Sequence, residues 1–170
     1  VKSIGLEETL DVDQISHAVT DVFDENDLDI SEDESMQILQ TFFQKIYAEK
    51  QEKSTIEETN WLNENANKEG VTTTQSGLQY EIISAGNGKK PDLDDEVTVH
   101  YTGMLTDGTI FDSSIERGTP ATFKLNQVIS GWTEGLQMMV EGDKWKLYIP
   151  SKLGYGENGA PQAGIGPNST

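Results

Sequence analysis

Glu96-Val97-Thr98-Val99-His100-Tyr101-Thr102-Gly103 alternates apolar and polar residues, so Val97, Val99 and Tyr101 share one face of a strand. Thr106-Asp107-Gly108-Thr109 then reads as a hairpin turn leading into Ile110-Phe111-Asp112. Ala121-Thr122-Phe123-Lys124-Leu125 is a further strand. Upstream, Leu78-Gln79-Tyr80-Glu81-Ile82-Ile83 alternates in part and meets Gly86-Asn87-Gly88. Downstream, Lys144-Trp145-Lys146-Leu147-Tyr148-Ile149-Pro150 alternates again. Between these strands lies one helical stretch, Val128 to Met139, where Trp132, Leu136 and Met139 recur at helical spacing. The last segment, Ser151 to Thr170, is a long Gly/Pro loop. One helix under a curved antiparallel sheet is an α+β arrangement.

The first part of the chain has a different composition. Residues 1–70 hold 5 Lys+Arg and 18 Asp+Glu, a net of −13. Residues 71–170 hold 7 and 12, a net of −5. Of the 16 glycines only Gly5 and Gly70 fall in the first part, and all five prolines lie beyond it. Gly and Pro are poor in helix interiors, so residues 1–70 read as a helical module and 71–170 as a strand-rich domain. The boundary is expected at Gly70-Val71-Thr72-Thr73-Thr74, a helix stop followed by β-branched residues. Asp11 caps a first helix carrying Ile15, Ala18, Val19, Val22 and Phe23, and a turn around Asp24-Glu25-Asn26-Asp27 ends it. Ser31-Glu32-Asp33-Glu34 is a capping box for a longer helix with the stripe Met36, Leu39, Phe42, Phe43, Ile46 and Tyr47. That stripe can pack the two helices together, and it can also form a homodimer face, since two short helices bury little surface alone. Ala48 to Asn60 is polar except for Ile56, the pattern of a helix bridging units through solvent. Trp61, Leu62 and Ala66 follow as a short apolar patch.

Several function classes are excluded or weakened. A net charge of −18 on 170 residues argues against nucleic acid, whose phosphates need a basic face. The absence of Cys excludes disulfides, thiolate metal sites and Cys nucleophiles. No apolar run is long enough for a membrane-spanning helix. Asp24 to Ser35 resembles a calcium loop only superficially, because Asp29 and Ser35 stand where Gly and Glu are needed. Gly86-Asn87-Gly88-Lys89-Lys90-Pro91 starts like a dinucleotide loop but has Pro where the third Gly belongs. His17 and His100 lack sequence partners that would mark them as catalytic, and no metal or cofactor motif is present. The chain starts at Val1 rather than Met, which suggests that an upstream segment has been removed or left out.

Four motifs, in order, carry a resemblance. Val97-Thr98-Val99-His100-Tyr101-Thr102-Gly103, Gly108-Thr109-Ile110-Phe111-Asp112-Ser113-Ser114, Val128-Ile129 with Gly131-Trp132, and Leu153-Gly154-Tyr155-Gly156 resemble the FKBP-type peptidyl-prolyl cis-trans isomerases. The acidic helical start followed by Gly77-Leu78-Gln79-Tyr80 is similar to the bacterial Mip/FkpA subgroup, on helix pattern and position. The resemblance implies an FKBP-like curved sheet wrapped on one short helix, preceded by an all-α dimerisation module. It implies an enzyme that accelerates X-Pro isomerisation in protein folding, without metal or cofactor. Its partners would be proline-containing unfolded or partly folded proteins, FK506- or rapamycin-type inhibitors, and a second copy of the chain. A folding chaperone or binding module without turnover is the alternative.

By the same resemblance Tyr101, Phe111, Asp112 and Tyr155 are the catalytic set, and Arg117, Val128, Ile129, Trp132 and Ile165 bind substrate. Trp132 would floor the pocket under the proline ring, Tyr155 would donate to a substrate carbonyl, and Arg117 would orient Asp112. Ile165 would close one side. Phe123 and Trp145 are assigned to the core. The family's second aromatic after the arginine is here Ala121, in Thr119-Pro120-Ala121, which implies a wider pocket. The family continues with an apolar strand beyond the position of Thr170 and with more helix before Val1, so both ends are expected to be incomplete. The subgroup occurs in the cell envelope and in the cytoplasm, and the envelope, as a periplasmic or outer-membrane-associated protein, is the expectation.

Overall fold

The structure, a computed structural model, describes residues 32–170. The expected first helix from Asp11, the turn at Asp24–Asp27 and the Ser31 cap lie outside the described residues. The chain divides into two compact units, residues 1–47 and 48–170.

Helix α1 (Glu32–Ala66) begins in the first unit and ends in the second. Within the first unit, Leu39, Phe43 and Tyr47 stand one turn apart and are all exposed, and the rings of Phe42 and Phe43 meet edge to face at 5.8 Å.

The second unit takes the last turns of α1 and adds seven strands and one helix. The strands are β1 (Val71–Thr73), β2 (Gln79–Ser84), β3 (Glu96–Val99), β4 (Thr102–Met104), β5 (Ile110–Ser113), β6 (Ala121–Lys124) and β7 (Lys144–Tyr148). Helix α2 (Ser130–Met138) lies between β6 and β7 in sequence. The strands pair antiparallel in three groups, β1-β2-β7, β3-β6 and β4-β5. In register, Gln79 faces Tyr148, Val97 faces Phe123, and Gly103 faces Asp112. The hairpin turn after β4 is closed by Leu105 N–H donating to Thr109 O at 2.8 Å and by Asp107 accepting from Thr109 N–H at 2.8 Å. Among the described residues, Leu78, Leu125, Ala160 and Ile165 are buried apolar side chains.

Three sequence readings are corrected. Glu96 to Gly103 is not one strand. The ladder stops at Val99 because Tyr101 N–H donates to Ser114 Oγ at 2.8 Å and Tyr101 O accepts from Ser114 N–H at 3.0 Å. Those bonds turn the backbone, so β3 pairs with β6 and β4 with β5. The helix expected from Val128 starts at Ser130, because Val128 and Ile129 are extended and the helix is entered from a 3₁₀ turn at Leu125–Gln127. The polar stretch Ala48 to Asn60 does not run through solvent alone. Gln51, Ser54 and Glu58 hydrogen bond to the loop 151–170, so its polar face is a docking face.

The end of α1 is fixed to the sheet by a buried polar pair. Asn65, fully buried, donates to Gln79 Oε1 at 2.9 Å, and Gln79 Nε2 donates to Leu62 O at 2.9 Å. Buried amides keep such bonds because an unpaired amide costs about 1–3 kcal/mol. Beside them the Trp61 ring lies 5.7 Å from Tyr148.

Helix α2 sits against the β7 segment through Gly131 and Gly135, one turn apart. A Cβ on Gly135 would come 2.7 Å from Leu147 Cδ1, and one on Gly131 would come 2.5 Å from Ile149 Cγ2. The helix therefore approaches the strand more closely than any larger residue allows.

Candidate functional site

The site is assembled from the turn after β3, from β5, from β6 and from the first turn of α2. Trp132 meets Tyr101 edge to face at 4.9 Å and Phe123 edge to face at 5.4 Å. Tyr101 and Phe123 meet at 6.1 Å. These are favoured geometries for aromatic pairs, in which a ring edge meets a ring face. All three rings are half-buried, so the cluster is packed and still partly exposed. Phe111 and Tyr155 form a second edge-to-face pair at 6.3 Å, with Tyr155 41% exposed.

Each ring is held by its backbone. Tyr101 is fixed by fully buried Ser114, whose Oγ also faces His100 Nδ1 at 3.2 Å. Phe111 lies over Gly103 of the neighbouring strand, where an added Cβ would come 2.6 Å from its ring carbons Cε2 and Cζ. Val128 and Ile129, both half-buried, form the extended entry to α2. Ile129 O accepts from Trp132 N–H at 2.9 Å and from Thr133 N–H at 3.1 Å, so this pair sets the first turn that carries Trp132.

A polar group stands at the edge of the rings. The Tyr101 hydroxyl donates to one carboxylate oxygen of Asp112, and Arg117 donates to the other. Arg117 also donates to the Tyr101 oxygen at 3.2 Å, and its guanidinium lies 5.7 Å from the Tyr101 ring centre. The hydrogen bond from Tyr101, then that from Arg117, hold the Asp112 carboxyl below the usual carboxylate range against some desolvation. Burial first, then donation to Asp112, pushes the Tyr101 hydroxyl above the usual phenol range. The result is a charged carboxylate fixed beside an apolar surface, with a neutral phenol between them. Its two partners leave Asp112 little freedom to act as a mobile base.

Of the expected site residues, Tyr101, Asp112 and Arg117 lie in one hydrogen-bonded group, Tyr101 and Trp132 in one ring cluster, and Phe111 and Tyr155 in one pair. Ile165 is 1% exposed, and its backbone forms a two-way bridge with Ala160, so it packs inside the loop that carries Tyr155. Phe123, assigned to the core from sequence, touches two of the rings. Ser114 lies at the end of the Gly108–Ser114 motif, and no spacing rule reveals a side chain that bonds the backbone of a turn thirteen residues away. Among the described residues no three His, Asp or Glu side chains converge as a metal site requires. No helix among them is long and apolar enough to cross a membrane.

Comparison with known proteins covers most of the chain. Residues 87–170 match the family described as FKBP-type peptidyl-prolyl cis-trans isomerase. Residues 2–82 match the domain amino-terminal to that isomerase. The FKBP-type isomerase FkpA of Aeromonas hydrophila is 51% identical over 138 residues, covering 77% of this chain and 52% of that protein. The outer membrane protein MIP of Legionella longbeachae is 52% identical over 112 residues, covering 65% of this chain and 47% of that protein. This chain therefore spans about half the length of these curated relatives. The crystal structure of FkpA from Escherichia coli superimposes with a TM-score of 0.73 at 40% identity, covering 97% of this chain and 79% of that one.

Proposed function

The chain belongs to the FKBP-type peptidyl-prolyl cis-trans isomerase family, and from that membership we propose that it accelerates X-Pro isomerisation in folding proteins. The observation that carries this reading is the Tyr101–Phe123–Trp132 ring cluster with a fixed Asp112 carboxylate at its edge.

The chemistry asks for no more than this. The barrier to prolyl rotation, about 18–20 kcal/mol, is amide resonance. No bond to the proline is broken and no proton must move. Catalysis needs a site that holds the twisted amide better than either planar form. Twisting removes resonance and leaves a less polar carbon–nitrogen unit, which a dry aromatic surface favours. The proline ring rests on Trp132, between Tyr101 and Phe111, with Val128 and Ile129 along one side. Asp112 stands beside the twisted carbonyl, and Tyr155 donates a hydrogen bond to a carbonyl of the bound segment. Arg117 keeps Asp112 in place. Ile165 supports the loop bearing Tyr155 from inside.

Residues 1–70 act as the dimerisation module and 71–170 as the isomerase domain. The exposed apolar stripe of Leu39, Phe43 and Tyr47 supports a second copy as the partner of the helical part. The name of the Legionella relative supports the bacterial cell envelope as the compartment, in the periplasm or at the outer membrane. The same pocket accepts FK506- and rapamycin-type inhibitors.

The test is a proline-peptide isomerisation assay on the full chain. A rate above the uncatalysed one, abolished by rapamycin, is expected. A folded chain with no such rate, but which suppresses client aggregation, overturns the enzyme in favour of a chaperone without turnover. A monomeric mass in solution overturns the dimer.

A further inference from the structure

The loop from Ser151 to Thr170 carries Tyr155 and Ile165, and it is fastened to one face of α1 at both ends. At its start, the Glu58 carboxylate accepts from the Ser151 backbone N–H and from Ser151 Oγ at 2.9 Å. Ser151 is itself buried, and its carbonyl accepts from Gly154 N–H at 2.8 Å. Glu58 thus grips the turn that immediately precedes Tyr155. Two turns earlier along α1, Gln51 Nε2 donates to Glu157 O at 2.6 Å, just past Tyr155.

The far end is held by the same helix. Asn168 is buried and has a φ of 50°, in the left-handed region, where it is the one non-glycine among the described residues. Its side-chain amide donates to Gln51 Oε1 at 2.7 Å and to Thr55 Oγ1 at 3.0 Å. Its backbone N–H donates to Gly156 O at 3.1 Å, tying this end to the residue beside Tyr155. Ser54 Oγ donates to Pro167 O at 3.0 Å. A backbone held in a sparsely populated region persists only where its surroundings over-determine it. Here those surroundings are side chains of α1.

From this arrangement we infer that α1 positions the Tyr155 loop for catalysis, with Glu58 as the principal positioning residue. The inference rests on the isomerase reading above for its kinetic consequence, but the fastening itself is independent of it. Tyr155 is 41% exposed and its ring meets Phe111 edge to face at 6.3 Å, so packing fixes it on one side. The hydrogen bonds two to four residues away supply what packing does not. A group that must meet a substrate atom within a fraction of an ångström loses rate steeply when its support is removed.

The experiment uses the full chain with Glu58→Ala, Glu58→Gln, Tyr155→Ala and the double variant Glu58→Ala/Tyr155→Ala. The control is Lys53→Ala, an exposed position on the same helix. Glu58→Ala is expected to lower kcat/KM on a proline peptide about tenfold. Glu58→Gln, which keeps an acceptor for Ser151 N–H, recovers most of that loss, and Lys53→Ala matches the wild type. In the Tyr155→Ala background the further effect of Glu58→Ala falls below about twofold, because coupled residues do not add. Losses that multiply in the double variant overturn the inference. Amide hydrogen exchange at Gly154, Tyr155 and Gly156 is the second readout. It is expected to speed up in Glu58→Ala, and unchanged exchange overturns the inference. If the wild type shows no isomerase rate, the function fails on its own account and the exchange measurement alone decides the positioning role.

Discussion

The Tyr101 hydroxyl donates a hydrogen bond to the Asp112 carboxylate, whose other oxygen is held by Arg117. The carboxylate cannot move without breaking one of these bonds, so its charge has a fixed place beside the rings. Asp112→Ala is expected to lower kcat/KM on a proline peptide about tenfold, short of the hundredfold or more seen when a dry, preorganised electrostatic group is removed. The smaller effect follows from the side chain being 39% exposed, where water screens the charge. Asp112→Asn keeps an acceptor for Tyr101 and is expected to lose less. Kinetics on the two variants check the order; equal losses would assign the effect to the charge and not to the hydrogen bond.

The same pair makes stability depend on pH at both ends of the range. The Asp112 carboxyl is held low, by Tyr101 first and then by Arg117. A depressed folded value means that the group stabilises the fold above the ordinary carboxylate range near ~4 and loses that contribution as pH falls through the folded value. Tyr101 is raised, by burial first and then by Asp112. Its contribution is complete below the ordinary phenol value near ~10 and is lost as pH rises through the folded value. Urea midpoints measured against pH are expected to show a shallower acid limb in Asp112→Asn and a shallower alkaline limb in Tyr101→Phe. An acid limb identical to wild type in Asp112→Asn would place the acid sensitivity elsewhere.

Much of this site could be read from residue order. The strand around Val97 and Val99, the turn at Asp107-Gly108 and the helix bearing Trp132 are legible locally and are found, though the strand ends at Val99 and the helix starts at Ser130. What escaped was non-local. Strand alternation continues past Val99, yet the ladder breaks because Ser114, far along the chain, takes the Tyr101 amide. Phe123 looked like a core residue because its neighbours Tyr101 and Trp132 come from other elements. The polar face of α1 looked solvated because periodicity reports only apolar faces, whereas this one docks through Gln51, Ser54 and Glu58. Hydrogen-bonded docking between distant segments leaves no period to find.

Gly103 and Phe111 provide a steric test of the ring pair. A methyl group at position 103 would come 2.6 Å from Phe111 Cε2 and Cζ, well inside contact distance. The ring must turn or the strand must shift, and overpacking of this kind costs about 1–3 kcal/mol. Gly103→Ala is expected to lower the thermal midpoint and to weaken peptide binding. Gly103→Ala with Phe111→Leu, which removes the offending ring edge, is expected to regain the midpoint but not the binding. Recovery of both would mean that the Phe111 ring contributes nothing to the substrate surface.

Gly131 and Gly135 set the last prediction, because two effects of opposite sign compete there. In a solvent-exposed helix interior, Gly→Ala stabilises by about 0.8–1.0 kcal/mol. Here each added methyl meets the β7 segment, and the two neighbours differ in how far they can yield. At position 135 the obstacle is Leu147 Cδ1 at 2.7 Å, the far end of a side chain with two rotatable bonds. At position 131 it is Ile149 Cγ2 at 2.5 Å, with Leu153 O behind it at 3.3 Å. A β-branched carbon is stiff at χ1, and the backbone carbonyl cannot move aside. Gly135→Ala is therefore expected to change stability little, since rotation of Leu147 offsets the helix gain. Gly131→Ala is expected to destabilise by about 1–3 kcal/mol despite the better helix residue. It should also lower activity, because residue 131 precedes Trp132 and any shift of α2 carries that ring away from Tyr101. Urea denaturation of the two variants side by side checks the ranking. Combining Gly131→Ala with Ile149→Val, which keeps Cγ2, should not rescue it, whereas Ile149→Ala should recover part of the midpoint.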